Sequence, residues 1–116
     1  MKYSLMESAM HPVMNDTKWD ELRLAMYMVK PFPRWRTMDL ENAYLSSWDV
    51  DWFYHFREGG YKSIQWLEIA TESPAQHHEV RGLLSRIHVP GEVLPTGFRV
   101  FGYVDSAVSV SYFSAA

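Results

Sequence analysis

The sequence predicts an α+β domain: a helix, a four-stranded antiparallel meander, a second helix and a terminal hairpin, with both helices on one face of the sheet. Three observations point there. A Gly59-Gly60 pair separates two β-rich runs, and glycine enters the positive-φ turn region without a Cβ penalty. Two amphipathic stretches with start and stop signals flank the strand region. The C-terminal run GFRVFGYVDSAVSVSYF alternates apolar and polar residues, as a half-buried hairpin does.

Residues 1–13, MKYSLMESAMHPV, carry no clear period and read as a loosely ordered leader to a single domain over 14–116. The first helix is expected to start at Thr17 as cap, with Asp20 completing the capping box. Trp19, Leu22, Met26 and Val29 share one stripe, and Pro31 and Pro33 end the pattern. Strands follow at RWRTMDL and AYLSSWD, turning at Glu41-Asn42, and then WDVDWFYHFREGGYKSIQWLEI forms the central hairpin.

The register of that hairpin follows from what each choice places opposite what. A two-residue loop sets Arg57 against Lys62, a like-charge pair. A loop of Glu58, Gly59 and Gly60 instead pairs Trp52 with Trp66, Tyr54 with Ile64 and Phe56 with Lys62. The other face then carries Phe53 with Gln65, His55 with Ser63 and Arg57 with Tyr61. The second helix has the clearest signature: Ser73 as cap, Pro74 at the first position and Gln76 at the third. His77 and His78 point about 100° apart, which suits a structural or solvent-facing pair better than two ligands of one metal. Pro90 to Gly97 reads as an irregular loop, and Gly102 within the last strands signals a bulge or an aromatic ring against the backbone. Expected core residues are Trp19, Leu22, Met26, Trp52, Tyr54, Phe56, Ile64, Trp66, Val80, Leu83, Leu84, Ile87 and Val100.

At 116 residues, 47% of them hydrophobic, the chain can bury a core without staples, and with no cysteine it has no disulfide frame or thiolate metal site. A net charge of −3 argues against nucleic acid as partner. No apolar run approaches the roughly 18 residues of a membrane span, so no membrane association is implied and the expected location is the cytoplasm. No phosphate loop, GxSxG, catalytic cysteine or HExxH occurs, and no cofactor or metal is implied.

Two surfaces could carry function. Between Asp39 and Asp51 lie four carboxylates and no Lys or Arg, interleaved with Tyr44 and Trp48. Aromatics with an acidic rim suit a protein interface, with Trp35, Tyr44, Trp48, Asp49 and Asp51 as contacts; the plainer alternative is that the acids only form turns. On the polar face of the hairpin, His55, Arg57 and Glu58 could bind an anionic small molecule or serve an enzyme, the alternative being a solvated strand face.

The blocks NDTKWDELRLAMY, PRWRT, DWFYHFREGGY, HVPG and GFRVFGY together resemble a small, uncharacterised bacterial family of the domain-of-unknown-function type, over Met14 to Tyr112. The resemblance implies a short single-domain bacterial cytosolic protein and hands no residue a role. Stand-alone domains of this size and kind suggest, by analogy, an immunity-type inhibitor that neutralises a bacterial toxin. The leading expectation is therefore a non-catalytic protein-binding domain that occludes a basic toxin surface. A self-associating homodimer through the exposed aromatics is a third reading.

Overall fold

A computed structural model describes residues 10–114 and shows the α+β class. In chain order the elements are β1 (Met10–Pro12), α1 (Asp16–Tyr27), β2 (Arg34–Asp39), β3 (Ile64–Ala70), α2 (Pro74–Ile87), β4 (Gly91–Leu94), β5 (Gly97–Phe101) and β6 (Tyr103–Asp105). A four-stranded antiparallel sheet runs β2-β3-β5-β4, and β1 pairs with β6 in a small second sheet. The leader expected over residues 1–13 thus joins the domain at Met10; residues 1–9 lie outside the described residues. Among the described residues no helix is long and apolar enough to cross a membrane.

Alternation gives the sheet two unlike faces. Leu67 and Ile69 of β3 and Phe98 and Val100 of β5 join one buried cluster with Trp19, Leu22 and Met26 of α1 and Val80, Leu84 and Ile87 of α2. Both helices therefore cover one face. The opposite face carries the charged row described below.

Local chemistry sets the helix ends. Asn15, rather than Thr17, caps α1: its side chain accepts the Lys18 N–H at 2.8 Å. Asp20 is drawn away from any capping box, since it accepts the Tyr61 hydroxyl at 2.5 Å and faces Arg23. Ser73 caps α2 as expected, accepting the Gln76 N–H at 3.1 Å. Buried Gln76 in turn takes the Glu72 N–H at 2.7 Å and donates to the Pro31 carbonyl at 2.8 Å, tying the start of α2 to the chain that leaves α1.

The central hairpin does not form. Gly59 and Gly60 do hold positive φ, at 78° and 82°, and turn the chain. Yet Trp52 to Gly59 is a succession of turns, and only Ile64–Ala70 is a strand. The reason is that Trp52 and Phe56 both point into the core, where they are 1% and 3% exposed. A spacing of four places side chains on one side of a tightly turned segment as readily as on one face of a strand. Leu40 to Ser63 is accordingly one long connection between β2 and β3. Its first half, Tyr44 to Asp49, lies antiparallel against the free edge of β2 through bridges at Leu45 and Asp49.

Tyr54 is 62% exposed and Trp66 lies on the outer sheet face, so neither belongs to the core expected for them. The loop expected over Pro90 to Gly97 is instead a hairpin, β4 to β5, turning at Pro95-Thr96. Residues 108–112 meet the sheet only at the Pro90–Tyr112 bridge. Gly102 divides β5 from β6, and of the two readings it invited, a bulge or an aromatic ring against the backbone, the ring is what the structure shows. A Cβ there would stand 2.1 Å from the Ile64 carbonyl oxygen and 3.2 Å from the Trp19 ring, so a side chain has no room.

Removing the ring of Phe56 leaves a void among four aromatic neighbours. Phe56→Ala is expected to cost about 3–5 kcal/mol in denaturant unfolding, whereas Tyr54→Ala, two residues away and exposed, should change stability by less than about 0.5 kcal/mol.

Candidate functional site

The connection from Leu40 to Ser63 carries most of the residues that the sequence singled out. Its order comes from short local bonds. Asp39 Oδ1 accepts the Glu41 N–H at 2.8 Å and the Asn42 N–H at 3.2 Å. Asp49 Oδ1 accepts Val50 N–H at 2.7 Å and Asp51 N–H at 2.8 Å, and Asp51 Oδ1 accepts Phe53 and Tyr54 N–H at 3.0 and 2.9 Å. Each of these aspartates is a turn former in the strict sense. Trp35 and Asp49 exchange both backbone bonds at 2.8 Å, and Ser46 N–H donates to the Thr37 carbonyl at 2.9 Å.

Beneath this frame lies an aromatic cluster. Trp52 donates its indole N–H to the Pro33 carbonyl at 2.9 Å, and Trp35 donates to the Asp51 carbonyl at 3.3 Å. Arg23, itself buried, reaches from α1 to the Phe53 carbonyl at 2.8 Å and lies over the Phe53 ring. Burial and the Asp20 hydrogen bond push the Tyr61 hydroxyl up to about 12.

Of the expected partner contacts, Tyr44 is 64% exposed, and Leu45, Val50 and Tyr54 stand exposed near it in the chain. Trp48 is half exposed but folds back over the outer sheet face, with its ring above the guanidinium of Arg36 at 4.4 Å and of Arg34 at 5.2 Å. Trp35 is different: at 7% exposure it packs in the core and offers no surface.

Asp49 and Asp51 converge on His55. Its Nδ1–H donates to Asp49 Oδ2 at 2.8 Å, and its Nε2 faces Asp51 Oδ2 at 3.7 Å. The Asp49 hydrogen bond and charge, aided by Asp51 and Glu58, raise the His55 pKa. Burial pushes Asp49 up, but the Asp51 N–H and the His55 ring outweigh it and hold the carboxyl below its usual value. Both ring nitrogens of His55 are thereby turned toward carboxylates. Arg57 lies instead toward the Phe53 ring, at 5.9 Å. His55, Arg57 and Glu58 share only a surface depression of about 370 Å³, which Tyr54 completes. Lining from so short a stretch of chain encloses little, whereas ligand sites surround most of their ligand.

The outer face of the sheet holds a constellation that the motif reading missed. The register sets Arg36, Glu68, Arg99 and Glu92 side by side across all four strands. Arg36 Nε donates to Glu68 Oε1 at 2.9 Å, Arg99 Nη2 donates to Glu68 Oε2, and Arg99 Nη1 stands 3.6 Å from Glu92. Burial raises the Glu68 pKa, but the Arg99 and Arg36 hydrogen bonds overcome that and hold it below the usual carboxylate range. Arg99 also lies 4.2 Å above the Trp66 ring. Next to this row, Trp48 and Pro95 wall a depression of about 250 Å³ floored by Ala70 and Gly97. A signal was present in the sequence: a single Glu inside the apolar strand IQWLEIA needs cations across from it, and RWRTMD supplies arginines at alternating positions and GFRVF one at its centre.

Residues 1–107 match a family described as a family of unknown function, DUF6678, and the chain belongs to that family. No curated protein and no solved structure matches the chain.

Two outcomes follow from this geometry. His55 should titrate above the ordinary histidine value of 6.5 by NMR, and Asp49→Asn should return it toward that value. A raised histidine pKa means that the pair steadies the loop below 6.5 and lets go as pH rises through the folded-state pKa. The depressed Asp49 pKa sets the acid limit, where the pair is lost as the carboxyl protonates. Separately, Glu68→Ala strands two arginines and should cost up to about 3 kcal/mol in denaturant unfolding, the low end for a broken buried pair because both arginines keep some solvent contact.

Proposed function

We propose that this chain is a non-catalytic protein-binding domain whose contact surface is the ordered connection between β2 and β3. One observation carries the reading. The connection is fixed by its own aspartate turns and by buried Trp52 and Phe56, yet it leaves Tyr44, Leu45, Val50 and Tyr54 exposed beside the half-exposed Trp48. A folded segment that spends hydrogen bonds to hold apolar side chains in solvent suits a preorganised interface, where Tyr and Trp give area at low entropic cost. Loops longer than about 12–15 residues without secondary structure are commonly functional for the same reason.

From Asp39 to Glu58 the chain carries five carboxylates (Asp39, Glu41, Asp49, Asp51 and Glu58) against Arg57. The turn bonds engage one oxygen of each aspartate and His55 faces the second oxygen of Asp49 and Asp51, so protonated His55 offsets part of their charge, but five carboxylates still leave a net negative field that attracts a basic partner. In its specific form, the reading is an immunity-type inhibitor in the bacterial cytoplasm that occludes the basic active-site surface of a toxin. Tyr44 is the central anchor, Trp48 an edge contact, and Asp49 and Asp51 supply field more than direct bonds. Trp35 supports the surface from below.

The test is affinity capture from native lysate followed by titration of the purified partner. Tyr44→Ala and Val50→Ser leave every turn bond in place, so loss of binding reports contact and not unfolding. Tyr44→Ala should weaken a captured partner by at least about 2 kcal/mol, the cost of removing an interface hot spot. Association should also slow as salt is raised. Unchanged affinity in both variants would overturn the placement of the surface.

A further inference from the structure

We infer that the domain holds a second, separate site: a pocket on the outer sheet face for a small amine with an apolar, aromatic body. Trp66 and Phe101 form its floor, and Val108 and Val110 of the segment after β6 form one wall. The cavity measures about 440 Å³, within the roughly 300–1,000 Å³ of small-molecule sites. It shares no residue with the proposed partner surface.

The wall is fixed at both ends, so the cavity is a shaped feature of the fold. Asp105 takes the Ala107 N–H on its side chain at 2.9 Å and the Val108 N–H on its carbonyl at 3.0 Å. Beyond the wall, Gly91 N–H donates to the Ser111 carbonyl at 2.9 Å, and Phe113 is buried against Phe98. Two anchored ends leave Val108 to Val110 spanning the gap without filling it.

Charge selects the ligand class. Glu92 and Asp105 line the cavity, and among the described residues that line it there is no Lys, Arg or His. Glu92 shares Arg99 with Glu68, whereas Asp105 has no cationic partner among the described residues. An aromatic body stacks on apolar walls as Trp66 and Phe101 allow, and a protonated amine at the rim pairs with the Asp105 carboxylate. An anionic ligand of the same shape meets Glu92 and Asp105 at the lining, while Arg99, which lies over the Trp66 ring, is already engaged by Glu68 and Glu92.

Three probes of one body and different charge decide it: tryptamine, 3-ethylindole and indole-3-propionate, titrated against the whole chain with the Trp66 indole N–H followed by NMR. Tryptamine should perturb Trp66 and bind about fivefold tighter than 3-ethylindole, the increment of one partly exposed ion pair, with the propionate weakest. Asp105→Asn should bring tryptamine to the level of 3-ethylindole. Val108→Trp, at a side chain 61% exposed, should fill the cavity and abolish both without lowering Tm. Silence of Trp66 at millimolar tryptamine, propionate binding as tightly as the amine, or binding retained by Val108→Trp would each overturn the site.

Discussion

Phe56 touches four aromatic rings at once, and that contact is what the rest of the structure depends on. Its centroid lies 5.9 Å from Trp19 of α1, 5.1 Å from Trp35 of β2, 5.0 Å from Trp52 and 5.7 Å from Tyr61. These separations fall in the range where edge and tilted packing are favourable beyond simple burial. Helix, sheet and connection therefore share one anchor. Because the ring is supplied from a connection, the segment between β2 and β3 belongs to the core as much as the strands do.

A connection anchored in this way can be ordered without being covered. Asp39, Asp49 and Asp51 satisfy backbone N–H groups that a strand partner would otherwise satisfy, so the segment needs no further sheet on its outer side. The exposed Tyr54 is then a consequence of architecture: the inward positions go to Trp52 and Phe56, and the residue between them faces water. On the other side of the sheet the logic is electrostatic. Glu68 is nearly enclosed, and two arginines meet its two oxygens, which keeps a carboxylate charged where burial would neutralise it. The row balances two positive against two negative side chains, which makes it a brace rather than a field.

The α+β class and both helices were legible in the sequence because their signals are local. The 3.6-residue stripe of Trp19, Leu22 and Met26 and the Ser73-Pro74 cap act over one or two turns of chain. The central hairpin is ambiguous in the sequence because Trp52, Tyr54 and Phe56 satisfy a strand pattern equally well, and the choice is made by Trp19 and Trp35, distant in sequence. The cap of α1 went to Asn15 for a similar reason: Asp20 was engaged by Tyr61, far along the chain. Of the two expected sites, Tyr44 and Trp48 do reach solvent, and Asp49, Asp51 and His55 do meet, but the aspartates from different turns had to be folded together before that pairing could be seen. The Arg36–Glu68–Arg99–Glu92 row needed the register of three strand pairs and could be read only in fragments.

Native-state hydrogen exchange tests the central claim, that the β2–β3 connection is held as part of the core. The Trp52 indole N–H and the Ser46 and Asp49 amides should exchange with the same free energy as the amides of Leu67 and Val100, because all would open only on global unfolding. Exchange of the connection at rates several orders of magnitude faster, with the sheet still protected, would contradict the account. It would make Leu40 to Ser63 a locally opening loop instead of a preorganised surface.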